Sequence, residues 1–422
     1  MVLLNTAVRR RTAPRTAGVL DSDAGVRRLE NFLLILGLVT LPFQVVQFGP
    51  AQPGHVFLLA AFGLMVWRGA VVVTITEILV FLFFFLMVVI LTKLMDAGRV
   101  KATDQLIKFG FVYPAFYLVG RWLGKVFSNR PPPLGIIFLA GLIVFEILVQ
   151  RAQLPVIYKE NNFGEGALHG TFRERNWLAV YVLLFSYFLF EIGARMGVSE
   201  FRRTVTLVVI NGVTMALTGS KTAFVAVGLI LLIKSKQSIA LKLALIAAGA
   251  FIYMNVFADQ FTEEAMRVRL EEERGLAFTE ALRLIGQSPI GYGVGFVEHH
   301  FSTTALSVMG LGQGVNSIFS VPLDLMIIAG PAGLLFWLVF FAGVGTGSIT
   351  ILAPIAALSL LNPLHQSEMV YFFAGMLVSC QAENRAWLKA KLEAYAPRPA
   401  IKRRFGPRRR EQPGHTASEA PS

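Results

Sequence analysis

Apolar runs of helix length alternate along the chain with short polar breaks. They fall near 31–48, 55–67, 70–92, 105–120, 134–150, 176–194, 204–218, 222–233, 239–257, 318–343, 346–361 and 367–380. A membrane span needs roughly 17–25 residues, so several of these runs are short. The runs 204–218 and 222–233 are together too long for one span, and Thr218-Gly219-Ser220-Lys221 suits a tight turn between two. The pattern predicts an all-α integral membrane protein of about 12 transmembrane helices. No A-x-A-like site ends the first run, so it reads as a retained span and not as a signal peptide. No internal repeat is visible, whereas many transporters are built from one.

Two segments are too polar to span, 151–175 and 258–317. The second is long enough to be functional or disordered. Within it, 260–285 reads as an amphipathic helix whose apolar stripe runs Met266, Leu270, Phe278, Leu282 and Ile285. Such a helix lies on the membrane surface or caps the bundle of spans. Arg274 interrupts the stripe. It either snorkels to lipid phosphates or aims its planar fork at an anionic ligand. Pro289-Ile290-Gly291-Tyr292-Gly293-Val294-Gly295 follows, with glycines at alternate positions that suggest a close backbone turn near a ligand. As a phosphate loop it is incomplete, because no strand precedes it and no Gly-Lys-Ser/Thr follows. The segment closes with Gly314-Val315-Asn316-Ser317, where Asn316 or Ser317 suits a helix cap.

Composition agrees with the pattern. The chain is 55% hydrophobic and 15% charged, with a mean hydropathy of +0.61, which excludes an ordinary soluble domain and a disordered chain. Net charge is +13, but the densest basic clusters sit at the two ends, so they indicate topology and not nucleic acid. Cytoplasmic termini place about 26 Lys/Arg inside and about 13 outside and require an even number of spans. The organisation expected is a basic cytoplasmic segment 1–30, a membrane domain 31–380 and a basic, disordered cytoplasmic tail 381–422. Both polar segments then lie outside. A single cysteine, Cys380, excludes a disulfide framework and a cysteine-based zinc site. His299 and His300 are adjacent, and adjacent helical residues do not converge on one metal. Serine-hydrolase, P-loop, zincin and Rossmann signatures are absent.

Several polar residues stand in costly places. Lys221, in the tight turn, is an interfacial anchor or a fixed cation for a phosphate. Glu174 pairs locally with Arg173 or Arg175, or faces an external cavity. Glu77, Glu146 and Asp324 fall within apolar runs, where carboxylates mark pathways or polar contacts between helices.

The ordered motifs resemble the O-antigen ligase and O-antigen/exopolysaccharide polymerase family over roughly 31–380. Gly170-Thr171-Phe172-Arg173-Glu174-Arg175-Asn176-Trp177-Leu178-Ala179 is similar to that family's Gly-x-Phe-x-Glu-Pro-Asn/Ser-x-Leu-Ala, with Arg175 in place of proline. Leu217-Thr218-Gly219-Ser220-Lys221-Thr222-Ala223 is similar to its Ser-Arg-(Thr/Gly)-Ala turn, with Lys221 in place of arginine. Arg274, Phe278, Ala281, Leu282 and Pro289 resemble Arg-x-x-x-Trp-x-x-Ala-Leu…Pro-x-x-Gly-x-Gly, with Phe278 in place of tryptophan. Val315-Asn316 stands where many members carry His-Asn.

The resemblance implies a membrane glycosyltransferase of the bacterial plasma membrane. Its donor is a polyprenyl-pyrophosphate-linked glycan, and its acceptor is a glycan or lipid on the outer face. Arg274 and Lys221 become the cations that stabilise the leaving pyrophosphate, with no metal or other cofactor required. Glu174, His299 and His300 are the candidate bases. Asn316, Arg173, Arg175 and Ser220 are the expected substrate contacts. Anionic lipid and other polysaccharide-assembly membrane proteins are the expected partners, and nucleic acid is not. Val315 cannot accept a proton, which favours a polymerase over a ligase unless His299 or His300 substitutes. The alternatives are a transporter that uses the intramembrane carboxylates and a non-catalytic scaffold whose basic tail binds partners or lipid.

Overall fold

The computed structural model describes residues 17–47, 51–95, 102–127, 132–159, 167–234, 273–303, 318, 320–344, 348–360 and 362–380, without the side chains of 17–24, 221–224, 273–274 and 301–303. Regular structure among these residues is helical throughout. The helices are α1 Ala17–Thr40, α2 Pro53–Trp67, α3 Ile75–Leu94, α4 Ala102–Ile107, α5 Tyr113–Phe127, α6 Pro132–Ala152, α7 Arg175–Arg195, α8 Glu200–Thr218 and α9 Lys221–Lys234. Then come α10 Glu273–Gln287, α11 Phe296–Thr303, α12 Val321–Phe340 and α13 Ile349–Ser359, a 3-10 turn Leu364–Gln366 and α14 Glu368–Cys380. A π-helical turn, Lys108–Val112, joins α4 to α5. The terminal segments, the run 239–257 and residues 258–272 and 304–317 lie outside the described residues, and Asn316 with them.

Among the described residues, four helices, α3, α6, α7 and α12, are long and apolar enough to cross a membrane. Burial separates their roles. The apolar window of α7 is 89% buried and that of α3 only 28%. α7 is therefore the central helix. On α3, Val80, Phe84, Val88 and Leu91 pack inward, while Leu79, Leu82, Phe83, Leu86 and Ile90 point out of the protein. Water disfavours so broad an apolar outer face, and hydrocarbon does not.

Small residues bring helices close. A Cβ on Gly120 of α5 would collide with the Phe372 carbonyl oxygen of α14, and one on Gly375 with the Tyr117 carbonyl oxygen of α5. This is the close backbone approach that glycine permits between membrane helices.

α12 breaks at Ala329 and Gly330, just before Pro331. The break frees carbonyls, and the 289–295 loop takes them. Tyr292 N–H donates to Ile327 O at 2.7 Å and Gly293 N–H to Ile328 O at 2.8 Å. Val294 N–H donates to Thr92 Oγ1 at 3.1 Å and Gly295 N–H to Gln105 Oε1 at 2.9 Å. Gly291, Gly293 and Gly295 have φ of +96°, +81° and +75°, which explains their alternate spacing. The loop is thus a plug for a broken helix. Its successive N–H groups already have protein acceptors, so the expectation of a ligand-facing turn is replaced by a structural one.

α10 packs on its neighbours through small residues. Its packed face is Ala277, Ala281 and Leu284, against Val297 of α11, Ile327 of α12 and Ile318. Of the expected stripe, Phe278 and Leu282 are exposed, whereas Ile285 packs against this cluster. Small side chains let α10 sit close on α12, and the bulky ones are left outside. The expected tight turn is present: α8 ends at Thr218, Gly219 caps it at φ +66°, and α9 starts at Lys221.

Candidate functional site

The 167–175 loop is tied down from three sides. Glu146 of α6 accepts from Thr171 N–H at 2.6 Å and lies 2.8 Å from its hydroxyl. Gln150 Oε1 accepts from the N–H groups of His169 at 2.8 Å and Gly170 at 3.2 Å. Val45 N–H donates to Thr171 O at 3.0 Å, and Leu168 N–H to Leu217 O of α8 at 2.9 Å. Gly170, at φ +55°, has no room for a Cβ above the Glu146 carboxylate. Burial pushes the His169 imidazole below its ordinary pKa, and the ring stacks on Tyr158. Glu146 is therefore the anchor of this loop.

The anchored loop presents Arg173 and Glu174 to solvent, with Arg175 half-buried at the first position of α7. The Arg175 guanidinium reaches the α8–α9 turn, where its Nη1 lies 3.5 Å from the place a Gly219 Cβ would occupy. Two motifs far apart in sequence thus meet. Ser220 is buried beside them, its N–H donating to Thr218 Oγ1 at 3.2 Å. Arg173 contacts Gln47 and acts electrostatically on His55.

His55 leads to residues that sequence reasoning missed. Glu368, the first residue of α14, faces Lys108 Nζ at 2.9 Å and His55 Nε2 at 3.8 Å. Lys108 sits in the π turn, an irregularity that recurs at functional sites. Its side chain is 37% exposed, whereas Glu368 is only 10% exposed. A lysine inside the apolar run 105–120 was the available signal. His55 and Glu368 gave less, since each stands at the edge of an apolar run where polar residues are common.

α10 and α11 carry the remaining expected residues. Arg274 lies in the first turn of α10, in the backbone sense only. His300 is drawn to Glu280, with Nε2 2.7 Å from Oε1. Glu280 also accepts from Arg283 Nε at 2.7 Å. That hydrogen bond holds the Glu280 carboxyl below its usual pKa against the opposing effect of burial, with His300 adding to it. His300 stacks on Phe296, and Phe296 on Tyr292. Its ring clasps α10 to α11. His299 is half-buried on the same short helix.

The carboxylates of the apolar runs have protein neighbours. Glu77 accepts from Arg121 at 2.8 Å and 2.9 Å, from Tyr117 OH at 3.1 Å and from its capping partner Thr74 N–H at 2.8 Å. Glu146 holds Thr171. Asp324 lies 3.1 Å from His365.

These contacts put the N-termini of several helices at one end of the bundle: α2 through His55, α7 through Arg175, α9 through the Gly219 turn, and α14 through Glu368. α12 joins them through Asp324. Helix N-termini carry partial positive charge and favour anions. Arg173, Arg175 and Lys108 add to that potential, and Glu368 offsets part of it. The arrangement can hold an anionic group and place a carboxylate beside it.

The chain matches no known protein-family model, and no curated protein shows significant similarity to it.

Proposed function

We propose that the protein is a membrane glycosyltransferase of the O-antigen polymerase/ligase type, working as a polymerase of surface polysaccharide. It transfers a growing glycan from polyprenyl pyrophosphate to a carrier-linked glycan on the outer face of the bacterial plasma membrane. The observation that carries this reading is the meeting of Lys108 and His55 at Glu368, with Arg175 over the Gly219 turn, at one end of an apolar helical bundle.

The chemistry explains the cations. Cleavage of the anomeric C–O bond leaves negative charge on a pyrophosphate, and fixed positive groups in a site poor in water stabilise that charge. The charge-stabilising roles expected of Lys221 and Arg274, and the sugar contact expected of Asn316, belong to this reading as proposals. Membrane orientation supports it. Helices that begin at this end finish near Arg121, Lys125, Arg195 and Lys234, the residues that the charge asymmetry assigns to the cytoplasm. With about 12 spans and cytoplasmic termini, the cationic end faces outward. A transporter would need mobile carboxylates, whereas Glu77 and Glu146 are each held by several hydrogen bonds.

Deletion of the gene followed by analysis of carrier-linked glycans tests the assignment. A polymerase defect leaves single repeat units in place of long chains. Long chains retained on the carrier would mean a ligase, and unchanged surface glycan would refute glycosyl transfer.

A further inference from the structure

Behind Glu368 lies a second polar group with almost no contact with solvent. Asp324 and His365 are 1% exposed and Tyr371 is 2% exposed. Asp324 Oδ2 and His365 Nε2 are 3.1 Å apart. The pair is misaligned, and neither atom completes a hydrogen bond among the described residues. His365 Nδ1 and the Tyr371 hydroxyl are also unpartnered there. Native proteins rarely leave buried polar atoms unpaired.

Asp324 of α12 and Phe109 of the π turn face His365. Phe109 of the π turn lies parallel to its ring at 6.4 Å, one residue from Lys108. Tyr113 of α5 stacks on Tyr371 of α14 at 4.3 Å, with Asp324 of α12 and Glu368 of α14 both in electrostatic reach of Tyr113. His55 of α2 completes the set through Glu368. The group therefore adjoins the cationic site. Glu368 is committed to Lys108 and His55, and His300 is committed to Glu280. Among the described residues, His365 presents a ring Nδ1 without a hydrogen-bond partner while its Nε2 lies 3.1 Å from the Asp324 carboxylate.

Resting on the glycosyl-transfer reading, we propose that His365, positioned by Asp324, accepts the proton of the acceptor hydroxyl through a bound water. The hydroxyl oxygen forms the new bond to the anomeric carbon. The bond from that carbon to the pyrophosphate oxygen breaks, and its electron pair leaves with the polyprenyl pyrophosphate. The hydroxyl proton passes to the water, whose own proton passes to His365. The imidazolium, stabilised by Asp324, then returns the proton to solvent. This gives the chain a proton acceptor although Val315 occupies the place of the usual histidine. Asp324 is a positioning residue in this scheme.

The test uses the full-length protein in proteoliposomes with a synthetic polyprenyl-pyrophosphate repeat unit, comparing wild type, His365→Ala, His365→Gln and Asp324→Asn. His365→Ala is expected to lose about 10²–10⁴-fold in kcat with KM little changed. Added imidazole should restore part of the rate, with a pH profile that follows the added base. Asp324→Asn should move the pH profile and not merely lower its height. Full activity in His365→Ala, or a loss that His365→Gln repairs and imidazole does not, would overturn the proposal and leave His365 a packing residue. Histidine NMR of the wild type tests the dyad independently of activity. A His365 signal that titrates and shifts in Asp324→Asn is required, and one that is silent across the pH range refutes the dyad. Wild-type protein inert toward the donor would instead refute glycosyl transfer, and this proposal with it.

Discussion

Replacing Arg121 by methionine separates two accounts of Glu77. In the structure Glu77 is 2% exposed and Arg121 17% exposed in their side chains, so the pair is largely shielded from solvent. Arg121 Nη1 reaches both carboxylate oxygens, at 2.8 Å and 2.9 Å. Breaking a buried pair by removing one partner costs about 3–5 kcal/mol, because the other charge is stranded. Here Tyr117 and the Thr74 cap still hold the carboxylate, so the lower end, about 3 kcal/mol, is expected. Adding Glu77→Gln removes the stranded charge. The double variant should recover much of the loss, with a coupling of about 2 kcal/mol between the two sites. Unfolding in mixed detergent–denaturant micelles measures the stabilities, and glycan chain length in cells measures function. A cost below about 1 kcal/mol for Arg121→Met would refute the structural account. So would a stable double variant that makes no glycan, because Glu77 would then act in the pathway itself.

Three further outcomes are expected. Lys108→Met should lower the transfer rate by about 10²–10³-fold, and Lys108→Arg should keep part of the activity, as measured with carrier-linked glycan. Gly293→Ala should lift the 289–295 loop from α3, since its φ is +81° and a Cβ would lie 2.6 Å from Thr92 N. A loss of about 1–3 kcal/mol in thermal or denaturant unfolding is expected. The Glu280 carboxyl is held below its usual pKa, chiefly by Arg283. Its contribution to the α10–α11 clasp is therefore complete above the ordinary carboxylate range and is lost as pH falls through the lowered value. Hydrogen exchange in α10 and α11 should stay slow from about pH 7 down into the acid range and rise only at its bottom. Glu280→Gln should remove that pH dependence.

Local features were legible in the sequence. Apolar runs became helices, and Thr218-Gly219-Ser220-Lys221 became the turn between two of them, because those outcomes depend on neighbouring residues. The glycines of 289–295 announced a strained turn. That α12 breaks opposite them was not legible, since the break and its plug are far apart in the chain. Distance hid the site in the same way. His55 and Glu368 meet only after the helices pack, and neither residue is unusual in its own segment. Glu146 and Asp324 were visible as misplaced carboxylates, whereas their partners Thr171 and His365 were not. In α10 the alanines and Ile285 pack against the neighbouring helices, and Phe278 and Leu282 face out. An apolar outer face is tolerable where the surroundings are themselves apolar.

The proposed reaction is glycosyl transfer from a pyrophosphate carrier at the cationic end of the bundle. The most direct measurement incubates the purified protein, in liposomes, with a defined polyprenyl-pyrophosphate repeat unit and follows both products. Lengthened carrier-linked glycan, released together with free polyprenyl pyrophosphate and lost in Arg173→Ala and Lys108→Met, is the predicted result. Unchanged donor with folded, correctly oriented protein would contradict the account.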